Sequence, residues 1–291
     1  MKAVAKNILT VLIVLVITHS AFCQTEVTAK KNKVYHVNYL TGSLIIAGGM
    51  GTDYFAISRI KNKPNLSIAE LQALNPGVIN PLDRWAIHQN PTNYLMFSKL
   101  SDDIEPPIFV ILPALLGFDK KIRKDWLDLL FMYVEGHTIT FTFYNYSWLG
   151  PTFQNKYRPI TYYSSLPLAD QITGNNRNSF YSGHCASVAF TTFFIAKVYC
   201  DYHPDLGFDK YLLYTAALIP PVVMGYFRVR ALAHFPSDCM VGITLGAVIG
   251  IVIPELHKFN YKGISLGMYS PSVGTGTGLT LNWTLPDKKC E

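Results

Sequence analysis

The feature that most constrains this chain is a succession of apolar stretches, each close to the length of one long helix, separated by segments that hold most of the polar residues. They run over Val37–Ile60 (interrupted by Gly48, Gly49 and Gly51), Ile104–Phe118, Trp126–Trp148, Gly183–Tyr199, Tyr211–Phe227 and Cys239–Ile253, with Pro254 expected to close the last. Apolar residues make up 49% of the 291 positions and charged residues only 15%, against about 25% charged in an ordinary soluble domain. Disorder is excluded over most of the length. The expectation is an all-α bundle of about five to six apolar helices. Most runs fall short of the roughly 20 residues that span a bilayer comfortably. They therefore suit short, tilted membrane spans or the core helices of a soluble bundle, and the low charge content favours the membrane.

The two ends read differently from the middle. Lys2 and Lys6 precede the apolar run Ile8–Ile17, and the small residues Ala21 and Cys23 precede Gln24, the layout of a secretory signal peptide cleaved after Cys23. An uncleaved anchor is the other reading. Near the C-terminus, Ile264–Leu285 alternates apolar with small or polar residues around Gly274, Gly276 and Gly278, the pattern of a small β-hairpin. The expected division is thus a leader over 1–23, a helical and loop region over 24–100, the main bundle over 101–258 and the hairpin tail over 259–291. Within 24–100, Ser67 and Glu70 have capping-box spacing and start a short helix. The five cysteines show no metal-ligand spacing; Cys185 and Cys239 read as small buried hydrophobes. The net charge of +6 does not gather into a nucleic-acid stripe. Its densest cluster, Lys120, Lys121, Arg123 and Lys124, is a solvated loop or a cytoplasmic anchor beside a membrane helix.

Three polar clusters interrupt the apolar pattern. Arg158-Pro159 opens the polar loop that runs to Ser179. Ser182-Gly183-His184 opens an apolar helix. Arg228 through Asp238 reads Arg-Val-Arg-Ala-Leu-Ala-His-Phe-Pro-Ser-Asp. Ser182 is placed to cap its helix, and a helix N-terminus with a close-approach glycine is an anion site. His184 in that first turn would face a bound anion and donate a proton to a leaving oxygen. His234 and Asp238 are four apart, so on one helix they would share a face, with the carboxylate fixing the imidazole tautomer. Phosphoryl transfer demands positive charge around three oxygens. Without a metal, Arg158 and Arg228 must supply it, each close pair contributing roughly 4 kcal/mol at an effective dielectric near 20.

Taken together these residues resemble the type-2 phosphatidic acid phosphatase and vanadium haloperoxidase superfamily. Its Lys-x6-Arg-Pro, Pro-Ser-Gly-His and Ser-Arg-x5-His-x3-Asp patterns match Arg158-Pro159, Ser182-Gly183-His184 and Arg228-x5-His234-x3-Asp238 in order, over roughly Ser101 to Leu256. The resemblance implies a phosphatase with no cofactor: His234 as nucleophile, Asp238 orienting it, His184 as acid and then base, and Arg158, Arg228, Ser182 and Gly183 binding phosphate. It implies a phosphorylated lipid as substrate and membrane lipid as surroundings, in the bacterial inner membrane with the site facing the periplasm. Four positions depart from the family: Pro151 for the lysine, Tyr181 for the proline, Phe227 for the serine before the arginine, and Leu232 for a common glycine. Lys156 is out of register as a replacement, and Arg230 is a candidate compensator. Alternatives are a soluble periplasmic acid phosphatase of broad specificity, a vanadate-dependent haloperoxidase, and a weakened or non-catalytic member that binds a lipid phosphate. Glu135 and His137 read as bundle-interior polar groups, and His36, His88, His203 and His257 as surface or loop residues. Asp83, Arg84 and Trp85 are candidates to close over the site.

Overall fold

The structure, a computed structural model, describes residues 33–147 and 150–258, together with the backbone of 264–269 and 278–283. The expected leader over 1–23 lies outside the described residues. The described residues from Val34 onward belong to one compact unit, and residues 100 and 101 lie inside a helix, Tyr94–Ala114.

The helices are α1 (Tyr39–Lys61), α2 (Ile68–Gln72), α3 (Tyr94–Ala114), α4 (Trp126–Tyr146), α5 (Leu168–Gln171), α6 (Gly183–Tyr202), α7 (Asp209–Arg230) and α8 (Pro236–Lys258). The strands β1 (Ile264–Tyr269) and β2 (Gly278–Trp283) pair antiparallel, Ile264 opposite Trp283 and Tyr269 opposite Gly278. The residues joining them lie outside the described set. An all-α bundle is what the apolar runs predicted, with three differences in how it is built. The glycines do not break α1, which is continuous for 23 residues from its Asn38 cap. Pro254 does not end α8; it lies inside it. And α3 begins at Tyr94 and carries Pro106, Pro107 and Pro113 within it. Packing in a bundle offsets the backbone hydrogen bond each proline removes. The Ser67–Glu70 capping box forms as its spacing predicts.

The six long helices alternate in direction, which gathers their ends into two sets. At one end Tyr202 Oη donates to Asp125 at 2.7 Å, His203 Nε2 meets Asp119 at 2.9 Å, Lys258 Nζ reaches Asp201 at 2.6 Å, and Tyr39 Oη binds Asp128. The basic turn at 120–124 belongs to this end. At the other end Asn145 Nδ2 donates to Asp53 at 2.9 Å and Tyr146 Oη to the Thr52 carbonyl at 2.6 Å. This second end carries all three polar clusters. His203 is a loop residue as expected, whereas His257 lies inside α8, its Nε2 3.3 Å from the buried Glu135 carboxylate. His137 is an interior group, packed on Phe109 and Phe190 with Thr191 at 3.2 Å.

The closest packing is α6 against α8. Gly242, Gly246 and Gly250 form a stripe one turn apart. A Cβ added to each would fall 2.5, 2.0 and 2.7 Å from the carbonyl oxygens of Ser182, Ala186 and Phe190. Backbone therefore lies on backbone along both helices, as small residues permit. Cys185 and Cys239 are buried free thiols at this seam. The bundle's outer flanks are apolar: Leu40 is 74% exposed on α1, Val110 70% on α3 and Ile219 60% on α7. Both α7 and α8 are long and apolar enough to cross a membrane.

Candidate active site

The site is assembled from helix ends and the two loops between them. The loop at 156–158 runs beside 176–179, held by Lys156 N–H to the Arg177 carbonyl at 3.0 Å, Arg158 N–H to Asn176 at 2.9 Å and Ser179 N–H to Lys156 at 2.9 Å. Arg177 fastens this loop to α2, its Nη1 lying 2.8 Å from Glu70. That partner pulls the Glu70 pKa down to about 2. Ile160 N–H donates to the Leu232 carbonyl at 3.2 Å, so the Arg158 loop is tied to the turn carrying His234.

Leu232 occupies the position where the resembling family favours glycine, and its φ is +57°. That is the left-handed region, where a side chain is strained and glycine is not. The side chain is fully buried with Ile160 and Tyr163, and this burial compensates for the conformation. Ser182 caps α6, its Oγ accepting from Cys185 N–H at 3.4 Å, and its own N–H donates to the Asp238 carbonyl at 3.1 Å. The starts of α6 and α8 are thereby joined.

His234 is buried between α7 and α8, and its Nδ1 lies 2.6 Å from the Ser179 carbonyl. A carbonyl only accepts, so Nδ1 carries the proton and Nε2 of the neutral ring keeps its lone pair. Burial, then the charges of Arg228 and Arg158, push the His234 pKa well below the ordinary histidine value. The expected His234–Asp238 contact is corrected here. His234 precedes Pro236, the first residue of α8, so the four-residue spacing does not put the pair on one helical face. Asp238 instead accepts from Lys156 Nζ at 2.5 Å, Ser179 Oγ at 2.6 Å and Phe235 N–H at 3.0 Å. Ser179 links the two, its hydroxyl donating to Asp238 and its carbonyl facing His234 Nδ1. Sequence reading missed Ser179 because a backbone carbonyl leaves no residue-type signal.

The cations converge. Arg228 Nη1 donates to Ser101 Oγ at 2.9 Å and approaches Asp102 Oδ1 at 3.2 Å, and the same Asp102 oxygen lies 3.1 Å from His184 Nε2. Glu105 Oε2 lies 3.3 Å from that nitrogen. The Nε atoms of both Arg158 and Arg228 are buried without a hydrogen-bond partner. Removal from water, then the neighbouring Arg228 charge, lowers the Arg158 pKa to about 10, still charged at neutral pH. Two buried donors on adjacent cations thus lack an acceptor within the chain, an arrangement that suits an anion. The Gly183 backbone faces Tyr144, whose ring would lie 3.5 Å from a Cβ there. Ser101 and Asp102 stand just before the apolar run that starts at Ile104, and Glu105 is a single acid inside it, so none of the three belongs to a motif. The acidic tract at its margin was their one signal.

Two departures resolve structurally. Pro151 contributes no charge, and Lys156 is held by Asp238 and lies over the Phe235 ring, 4.9 Å from its centroid. Arg230 lies over Phe97 at 5.1 Å rather than replacing the lysine. Asp83 does dock on the site's rim: its carboxylate accepts from Ser237 N–H at 2.8 Å and from Ser237 Oγ at 2.6 Å. Trp85 stays 45% exposed.

The molecule is thus an all-α bundle that gathers two histidines and two guanidiniums at one set of helix ends. Residues 128–262 match the model of the PAP2 superfamily, which supports the assignment of the chain to that superfamily. A solved structure of a transmembrane PAP2 type phosphatidylglycerolphosphate phosphatase from Bacillus subtilis is similar at 19% identity, covering 73% of this chain and 96% of that one, with a TM-score of 0.42. No curated protein matches the chain.

Proposed function

We propose that this protein is a metal-independent phosphatase that hydrolyses a phosphomonoester or pyrophosphate on a lipid through a phosphohistidine at His234. The observation that carries the reading is the pair of unpartnered guanidinium Nε atoms, on Arg158 and Arg228, beside two histidines in unlike surroundings. A phosphoryl group supplies the acceptors those donors lack. The unprotonated Nε2 of His234 attacks phosphorus, and the bond to the leaving oxygen breaks. His184, in its protonated form, gives that oxygen its proton. Neutral His184 then takes a proton from water, whose oxygen attacks phosphorus. The nitrogen–phosphorus bond breaks, phosphate departs and His234 is restored. Arg158 and Arg228 bind the phosphate oxygens throughout, with the Ser182 cap and Gly183 shaping the helix end.

A lipid substrate is supported by the apolar flanks of α1, α3 and α7, which suit acyl chains better than water. The positive-inside tendency puts the basic turn at 120–124 in the cytoplasm, and the site, at the opposite helix ends, outside it. His234→Ala should reduce phosphate release from a phosphorylated lipid to the buffer background and abolish an acid-labile phosphoenzyme. His184→Ala should slow both the formation and the hydrolysis of that adduct. Unchanged release by the His234 variant would overturn the reading. Release of the protein from membranes by a carbonate wash would remove its membrane part.

A further inference from the structure

The pocket already contains an anion, and it belongs to the chain. One oxygen of Asp102 lies 3.2 Å from Arg228 Nη1 and 3.1 Å from His184 Nε2. These are the two groups that, on the proposed function, must share the substrate's phosphoryl and leaving oxygens. The Asp102 oxygen therefore occupies the position a bound phosphate ester needs. Asp102 comes from α3, outside residues 128–262 that match the family. Its side chain is 57% exposed, whereas Glu105, 3.3 Å from the same histidine nitrogen, is 19% exposed. Asp102 is thus the more exposed of the two carboxylates on His184. Ser101, buried one residue earlier, accepts a separate 2.9 Å bond from the same Arg228 Nη1.

We propose that Asp102 is a specificity-determining residue: an internal anion that fills the empty pocket and must be displaced by the incoming phosphate. A tethered carboxylate competes without any loss of translational freedom. A ligand wins the contest by carrying more charge to Arg158 and Arg228 than the carboxylate does. The dianion of a phosphomonoester or the terminal phosphate of a pyrophosphate does so. A phosphodiester, with one charge, does not. Asp102 thus makes the pocket select terminal phosphoryl groups over the diester linkages of ordinary phospholipids, which surround a membrane protein in great excess.

The proposal rests on the phosphatase reading, and the test separates the two. Binding of inorganic phosphate and of dimethyl phosphate is measured by calorimetry on the full-length protein in detergent, for wild type, Asp102→Asn and Asp102→Glu. Loss of a charge-assisted contact of this kind corresponds to about ten- to a hundredfold. Asp102→Asn should bind inorganic phosphate tighter by that factor and should acquire measurable affinity for dimethyl phosphate. Asp102→Glu should stay within about threefold of wild type. A residue that merely supported the fold or oriented His184 would weaken binding or leave it unchanged when altered. Equal or weaker phosphate binding by Asp102→Asn, with its melting temperature intact, overturns the role of Asp102. Absence of phosphate binding in every variant overturns the phosphate pocket itself.

Discussion

Gly246→Ala tests whether the α6–α8 backbone contact holds the site together. The added Cβ would stand 2.0 Å from the Ala186 carbonyl oxygen, where ordinary contact begins at 3.4 Å, so the helices must part by about 1.4 Å. The substitution gains about 1 kcal/mol of helix propensity. Against this, overpacking costs about 1–3 kcal/mol, and a gap of 0.5–1 Å forfeits roughly a quarter to a half of each dispersion contact along the seam. The net expectation is a loss of about 2 kcal/mol, or roughly 5 °C in melting temperature for a chain of this size. Activity should fall further, because α6 carries His184 and α8 follows directly on His234. A displacement near 1 Å costs on the order of a hundredfold in turnover. Modification of the buried Cys185 and Cys239 thiols should accelerate as the seam opens. Gly48→Ala is the matched control: nothing lies within 4 Å of its Cβ position, so it should stabilise by about 0.5–1 kcal/mol and leave turnover unchanged. A Gly246→Ala protein with wild-type melting, thiol reactivity and turnover would refute the reasoning.

Leu232→Gly relieves the φ of +57°, a gain of about 1 kcal/mol, but deletes a fully buried side chain, a loss of about 3–5 kcal/mol. Net destabilisation of about 2–4 kcal/mol should appear in denaturant unfolding, and a more stable variant would show that strain outweighs burial here. His234 supplies a pH signature. Its folded pKa lies well below the ordinary value near 6.5, so below that pH the unfolded chain binds a proton that the native one does not. Its contribution is therefore fully present above pH 6.5 and is lost as pH falls, by up to about 1.4 kcal/mol per unit. Unfolding curves at pH 5 and 6 should show this slope in wild type and its absence in His234→Asn; parallel slopes would mean His234 is solvated.

The bundle and its polar end were legible because apolar runs and clustered Arg, His and Ser residues are statements about burial, and burial decided the fold. Element ends were less so. Glycine and proline weigh against helix locally, yet Gly42 and Gly49 are where α1 meets Phe131 and Thr138 of α4, and α8 continues through Pro254 on the strength of its contact with α6. Residue roles followed the same division. Arg158, Ser182, Gly183, His184, Arg228 and His234 are gathered at one end of the bundle. Asp238 lies there too, but in another role, since helical spacing applies only once both residues are in the helix. Lys156 and Ser179 act by position within a loop, and loop geometry is written in the chain's path rather than in residue type.

One consequence concerns heredity. The acceptor that settles which nitrogen of His234 carries its proton is the main-chain oxygen of residue 179. Every amino acid possesses that atom, so no single codon change can delete it. Replacing the side chain there would disturb the Asp238 network and leave the tautomer in place. Only an insertion, a deletion or a rerouted loop could take the acceptor away. In lineages descending from this chain the tautomer survives a change of side chain at position 179 but not a change of backbone course.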